Sequence, residues 1–290
     1  MQIIRQLSAL RERTKLIRVG GESLAFVPTM GALHEGHMAL VELAKRQADH
    51  VIVSIFVNPM QFGPNEDLAH YPRAEEADAV LLAEAGVTAL WLPTVAEIYP
   101  AGFATEVSVA RLGDGLCGAA RPGHFDGVAT IVAKLFNQVR PDIAIFGEKD
   151  WQQLAIVRRL AHDLDMEVEI VGVPIRRESD GLALSSRNAY LSFDQRKAAA
   201  ALPKALQAAV VAIEGGADIP TALAAAEERL LSAGFTSVDY VSLVDSVSLE
   251  PLMTLDVEAR LLAAARIGTT RLIDNFAVRP KKVMRTLTLC

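Results

Sequence analysis

The sequence predicts an α/β protein, a doubly wound parallel sheet followed by a second, smaller α+β C-terminal domain, and three observations carry that expectation. Apolar runs rich in β-branched residues alternate with helical stretches through the first two-thirds of the 290 residues. Those runs are continuously apolar, as in strands covered on both faces. After Pro174 helical stretches give way to strand-like runs with no helix of useful length between the last two, the pattern of an antiparallel sheet.

A helix is expected over roughly Ile4 to Ile17, ahead of the first strand. Strands are expected at Ser23 to Val27, Val51 to Val57, Val87 to Leu92, Asp142 to Phe146 and Glu167 to Val173. Helices fall between them at Gly36 to Asp49, Ala74 to Ala85, Gly127 to Gln138 and Trp151 to Leu164. This βαβ alternation is that of a Rossmann-like sheet. Beyond it come an irregular stretch (RRESDGLALSSRN), helices at Asp194 to Glu214 and Pro220 to Ala233, and strands at Val238 to Val244, Arg260 to Ala265 and Thr270 to Phe276. The division expected is 1–174 for the first domain and 175–290 for the second.

Composition narrows the function. Hydrophobic residues make up 51% and charged residues 22%, the balance of a globular protein. A formal net charge of −6 disfavours a nucleic-acid backbone as the main partner. No signal-peptide pattern opens the chain and no run approaches an uninterrupted membrane span, so a cytoplasmic protein with no membrane partner is expected. Cys117 and Cys290 form no CxxC motif and read as free thiols.

The residues that stand out follow strand ends, where ligands bind in open parallel sheets. Pro28 to Gly31 follows the first strand, Asn58 to Gly63 the second and Gly147 to Asp150 the fourth. In PTMGALHEGHMALVELAK a helix starts near Gly36, with His34 and His37 at its head. Free N–H groups and the positive end of the helix dipole favour a phosphate there, and two imidazoles can offset charge that builds at phosphorus. For one histidine a helix cap or core residue is the better reading; for two, with two glycines, a phosphate site is. A zinc site lacks a third ligand and a HExxH or Cys-rich context, and neither a P-loop nor GxGxxG is present. Cys117 with His124 makes a weak dyad. Asp150 can cap the following helix, leaving Lys149 as a point charge for phosphate. Ser185, Ser186, Arg187 and Asn188 read as a loop over the phosphates. Arg121 either holds a substrate carboxylate or belongs to a helix cap at Asp126.

The set VPTMGALHEGH, SIFVNPMQFGPNEDLAHYPR, RPGHFDGVATIV, FGEKDWQQL and LALSSRNAYLS closely resembles the pantothenate synthetase (pantoate–β-alanine ligase) family, within the HxGH nucleotidylyltransferases. The resemblance runs essentially from end to end. It implies Mg²⁺ as the cofactor and ATP as a substrate, with (R)-pantoate activated as pantoyl-adenylate and β-alanine as the attacking amine. It further implies an ATP site from Met30, Gly31, Ala32, Leu33, His34, Glu35, Gly36 and His37, with His37 in the proton-donor position. Gly147, Glu148, Lys149, Asp150, Leu184, Ser185, Ser186 and Arg187 would complete that site. Arg176 stands at a further ATP contact where the family pattern has Val. Gln61 would contact pantoate and β-alanine, and Gln153 would contact pantoate. Asn58 and Arg121 are added as pantoate candidates, and His34, His37, Lys149 and Arg187 as the catalytic set. No protein metal ligands are assigned; Asp78 is a candidate for Mg²⁺. A homodimer is expected from the resemblance alone. The rival readings are an adenylyltransferase that stops at a nucleotide product, an aminoacyl-tRNA synthetase, which the short acidic chain fits worse, and a non-catalytic nucleotide sensor.

Overall fold

The computed structural model describes residues 1–64 and 66–280. Cys290 lies outside the described residues, and Cys117 is a free, buried thiol. The chain forms two compact units, Met1–Glu178 with Ala183–Ala189, and Ser179–Leu182 with the chain from Tyr190 onward. The Ser185–Asn188 segment, placed by the sequence after the boundary at 174, thus belongs to the first unit.

The first unit is a six-stranded parallel sheet. Its strands are β1 (Gln2–Ile4), β2 (Leu24–Thr29), β3 (His50–Ile55), β4 (Ala89–Trp91), β5 (Ile143–Gly147) and β6 (Glu169–Val173). Their spatial order is β1-β4-β3-β2-β5-β6, and every pairing is parallel. The helices are α1 (Leu7–Val19), α2 (Glu35–Gln47), α3 (Glu75–Glu84), the short α4 (Val95–Ile98) and α5 (Cys117–Ala120), α6 (His124–Val139) and α7 (Trp151–Asp163). From β2 the chain winds outward through β3 to β4, then returns to β2's other side for β5 and β6. The reversal falls between β2 and β5, where the loops after these strands diverge and leave a crevice.

Packing explains why the long strands are continuously apolar. Leu24, Ala25, Phe26 and Val27 of β2 are fully buried, as are Ile52 and Val53 of β3 and Ala144 and Ile145 of β5. Helix α2 lays Ala39, Leu40, Val41 and Ala44 on this sheet. Helix α6 is buried around most of its circumference, from Phe125 to Val139. The strand the sequence did not reveal is β1, a three-residue edge strand paired only to β4.

The second unit holds α8 (Phe193–Ala199), α9 (Ala201–Gly215), α10 (Ile219–Ser232) and the antiparallel sheet β7 (Ser237–Asp245), β8 (Ala259–Ile267) and β9 (Thr270–Val278). The sequence expected a single helix where α8 and α9 lie. The break at Ala200 has a cause in Pro203, which lacks the N–H that would reach the carbonyl of Ala199. The run Phe193–Gly215 has the length and mean hydropathy of a membrane span, but Asp194, Arg196, Lys197, Lys204 and Glu214 interrupt it. Leu202, Ala205, Leu206, Ala209 and Ile213 from that run form the core of this unit, so it is a core helix here.

Candidate active site

The crevice is built first by the loop after β2. Gly31 is in the left-handed region at φ +85, and Ala32 joins it at φ 50, where an alanine is strained. The loop is held by Asp78 of α3, whose carboxylate accepts from Ala32 N–H at 2.9 Å and Leu33 N–H at 2.8 Å. Asp78 is 2% exposed and both its oxygens are taken. Its sequence-based candidacy for Mg²⁺ is therefore replaced by a role in shaping the loop.

The loop delivers the chain into α2 through a reciprocal cap. His34 Nδ1 accepts from Gly36 N–H at 3.1 Å, and His37 Nδ1 accepts from the His34 N–H at 3.3 Å. A side chain at Gly36 would place Cβ 2.8 Å from His34 Cε1, so any larger residue between the histidines would push the His34 ring out of its capping position. The two readings of this pair thus coexist: the histidines cap the helix with Nδ1, and Nε2 of each is left as the protonated nitrogen. Burial, then the charge of Lys149, lowers the His34 pKa. Burial, His34 and Lys149 together push His37 down to about 3. At neutral pH both rings are uncharged and present N–H donors at the head of a helix.

The loop after β3 forms a 3-10 turn, Pro59–Gln61, with Asn58 as its cap. Asn58 is 1% exposed and its amide is saturated. Its Oδ1 accepts from the Tyr99 hydroxyl at 2.7 Å and from Met60 N–H at 3.3 Å. Its Nδ2 donates to Gln61 Oε1 at 3.1 Å and to the Gly127 carbonyl at 3.0 Å. With Oε1 engaged, Gln61 directs Nε2 toward Met30 Sδ at 3.1 Å. The Gln61 carbonyl accepts from His124 Nδ1 at 2.8 Å and Arg121 Nη2 at 3.3 Å. Burial, then the Arg121 charge, holds His124 at about 4, so this ring too is neutral. Both its nitrogens are engaged, by Gln61 and Arg121, which removes the Cys117–His124 dyad.

Beyond β5, Gly147 leads into a 3-10 turn, Glu148–Asp150, and then α7. Asp150 makes no side-chain cap bond to α7. Asp126 lies in the first turn of α6, whose N-cap is Gly123 without a side-chain bond, so the capping expected there is not made either. In the Ser186–Tyr190 turn, Arg187 is paired in two-pronged fashion with Asp67, both bonds at 3.0 Å. Its guanidinium lies 5.6 Å from the Tyr71 ring. Burial lowers the Arg187 pKa, but the Asp67 bond and charge outweigh it and the net shift is upward.

These loops meet in one cleft of the first unit, with a volume of about 230 Å³. Of the residues singled out in the sequence, Met30, His34, Gly36, His37, Asn58, Gln61, Gly147, Lys149, Asp150, Gln153, Arg176, Leu184, Ser185, Ser186 and Arg187 line it. Phe56, Val128, Ile131, Val132, Leu135 and Phe146 form an apolar wall. Gly31, Ala32, Leu33, Glu35 and Glu148 are not among the lining residues. Arg121 is not either; Glu66 holds its guanidinium through two bonds, at 2.6 and 2.5 Å, and it braces Gln61 from behind. The sequence reading missed Tyr71, which lines the cleft, and Tyr99, which supports it, and it gave Asp78 a different task. Tyr71 opens the YPR segment and Asp78 follows it, but nothing in the order of residues shows which way they face.

Comparison with known proteins agrees with this architecture. The family model described as pantoate-beta-alanine ligase matches residues 2–277. A pantothenate synthetase from Sphingopyxis alaskensis is 65% identical over 278 residues, 96% of this chain and 100% of that protein. The crystal structure of pantothenate synthetase from Thermus thermophilus superposes with a TM-score of 0.91 at 49% identity, covering 97% of this chain and 100% of that one. The pantoate-beta-alanine ligase from Francisella tularensis, complexed with beta-gamma ATP and beta-alanine, gives 0.81 at 33% identity, covering 95% and 97%. The chain belongs to the pantoate-beta-alanine ligase family.

Proposed function

We propose that this chain joins (R)-pantoate to β-alanine at the expense of ATP, through pantoyl-adenylate. The observation that carries this reading is the pair of neutral Nε2–H donors at the head of α2, beside Lys149 and facing the same cleft as Gln61 and Gln153. In the first half-reaction the pantoate carboxylate, already ionised at neutral pH, attacks the α-phosphorus of ATP. The bond from that phosphorus to the bridging oxygen breaks, and diphosphate leaves with the charge. No protein nucleophile or base is needed; positioning and charge neutralisation are. His34 and His37 donate hydrogen bonds to phosphate oxygens, and Lys149 and Arg187 supply positive charge. The approach of the triphosphate favours the charged imidazole, which strengthens the His37 donor as diphosphate departs.

In the second half-reaction the neutral amine of β-alanine attacks the acyl carbon, the carbon–oxygen bond to AMP breaks, and the ammonium proton is released to solvent. Gln61 supplies N–H groups to acceptor oxygens of pantoate and β-alanine, and Gln153 to pantoate. Met30, Gly147, Leu184, Ser185, Ser186 and the Arg176 segment border the nucleotide. Among the described residues no group of three or more His, Cys, Asp or Glu side chains could hold a metal. That donor set fits Mg²⁺ carried by the triphosphate, with Asp150 the carboxylate within the cleft's lining. Mg²⁺ held there would neutralise phosphate charge. The protein is proposed to act in the cytoplasm, as a homodimer and without a nucleic-acid or membrane partner.

The test is AMP formation from ATP and pantoate, with and without β-alanine. AMP formation that depends on pantoate and is multiplied by the amine is expected. Equal AMP from unrelated acids, or no dependence on an amine, would defeat the assignment. His37→Ala should slow adenylate formation by about 100-fold or more, the size of effect when a charge-stabilising donor is lost.

A further inference from the structure

We propose that Tyr99 is a positioning residue, which through Asn58 fixes the side-chain amide of Gln61 so that it faces the substrates as a hydrogen-bond donor. This inference rests on the pantoate site argued above. An unrestrained glutamine amide presents an oxygen or a nitrogen with little preference, since the two ends are nearly the same size. A pocket for carboxylate and hydroxyl oxygens needs the nitrogen forward.

The structure carries a chain of donors and acceptors that makes this choice. The Tyr99 hydroxyl donates to Asn58 Oδ1 at 2.7 Å. Burial pushes the phenol up to about 12, so it stays a donor throughout the working range. Met60 N–H donates to the same oxygen, at a longer 3.3 Å. Asn58 Oδ1 is thereby fixed as the acceptor end, and Nδ2 must point to its two acceptors, the Gly127 carbonyl and Gln61 Oε1. Gln61 is left with Nε2 toward Met30 and the cleft.

The shorter of the two bonds that orient Asn58 comes from Tyr99, which does not line the cleft. Its ring is held by Phe103 at 5.0 Å and Phe56 at 6.2 Å between centroids. Lys134 sits 4.5 Å from the Phe103 centroid and 5.8 Å from that of Tyr99. Without the phenol, buried Asn58 keeps one long bond on its oxygen. The Gly127 carbonyl still holds Nδ2, so the amide keeps its sense but is held less tightly, and Gln61 with it.

The experiment compares steady-state kinetics of wild type, Tyr99→Phe and Lys134→Met, with thermal melts of each. Tyr99→Phe keeps the ring and removes only the hydroxyl. It should raise the KM for pantoate about 3- to 10-fold, the worth of one buried hydrogen bond, while the KM for ATP stays at the wild-type value. Lys134→Met loosens the aromatic packing but keeps the hydroxyl, and should leave the KM for pantoate unchanged. The inference is overturned if Tyr99→Phe binds pantoate as wild type does. It is equally overturned if the KM for ATP rises in parallel, or if Lys134→Met reproduces the effect. Failure of the wild type itself to form AMP from pantoate would instead strike the underlying assignment, and the inference with it.

Discussion

Asp78 shows how much of this site depends on a residue outside the cleft's lining. It lies on α3, some forty-five residues beyond the loop it holds, yet both its oxygens end on that loop's N–H groups. Hydrogen bonds to a charged acceptor in a buried setting are each worth about 1.5–3 kcal/mol. They offset the left-handed backbone of Ala32, which costs about 1–2 kcal/mol. Asp78→Asn keeps one acceptor and turns an amide N–H toward a backbone N–H, so it should raise the KM for ATP about tenfold or more. The effect should persist when Mg²⁺ is raised, because the residue shapes a loop. Rescue by added Mg²⁺ would return Asp78 to the metal, and a wild-type KM for ATP would remove its role altogether.

At the scale of elements, the contact between α6 and the Pro59–Gln61 turn sets the position of Gln61. A Cβ at Gly127 would strike the Met60 carbonyl oxygen and lie 2.7 Å from the Gln61 nitrogen, both backbone atoms that cannot swing away. Gly127→Ala should therefore push the turn off the helix, at a cost of about 1–3 kcal/mol of overpacking. We expect a lower melting temperature together with a raised KM for pantoate, read from a melt and from AMP formation. A fully wild-type profile would show that the turn can slide without loss. This contact was invisible in the sequence, where Gly127 looked like the start of a helix. What the sequence did disclose follows from burial on both faces: β2, β3, β4 and β5 announce themselves as apolar runs, and the ends of β2, β3 and β5 mark where the cleft opens. The edge strand β1 is too short to show a pattern, and the α8–α9 break turns on a single proline. Within the site, His34, His37, Lys149 and Gln61 were legible because each sits just past a strand end. Tyr99 and the bracing roles of Asp78 and Arg121 were not, since their partners are set by how distant segments pack.

The whole molecule carries a pH dependence that its neutral histidines impose. His37 at about 3 and His124 at about 4 both lie below the ordinary value of 6.5, and His34 is lowered as well. Above 6.5 these rings are neutral folded or unfolded, and their contribution to stability is complete. As pH falls below 6.5 the unfolded chain takes up protons that the folded one refuses, so stability is lost until the folded values are reached. At pH 5 the deficit is about 2 kcal/mol for each of His37 and His124, from one and a half units at 1.36 kcal/mol per unit. Against a total stability of about 5–15 kcal/mol, two such losses are large. Thermal melts should therefore show a clear fall between pH 7 and pH 5, well before the carboxylates titrate. His124→Gln, which removes one of the refused protons, should reduce that fall, whatever it does to stability at pH 7. ATP should also recover more stability at pH 5 than at pH 7. Its phosphates favour protonated His34 and His37 in the cleft, so binding should draw in protons that calorimetry in buffers of different ionisation enthalpy would count. A melting temperature flat from pH 7 to 5, or ATP binding without proton uptake, would mean these rings are not held neutral by the fold.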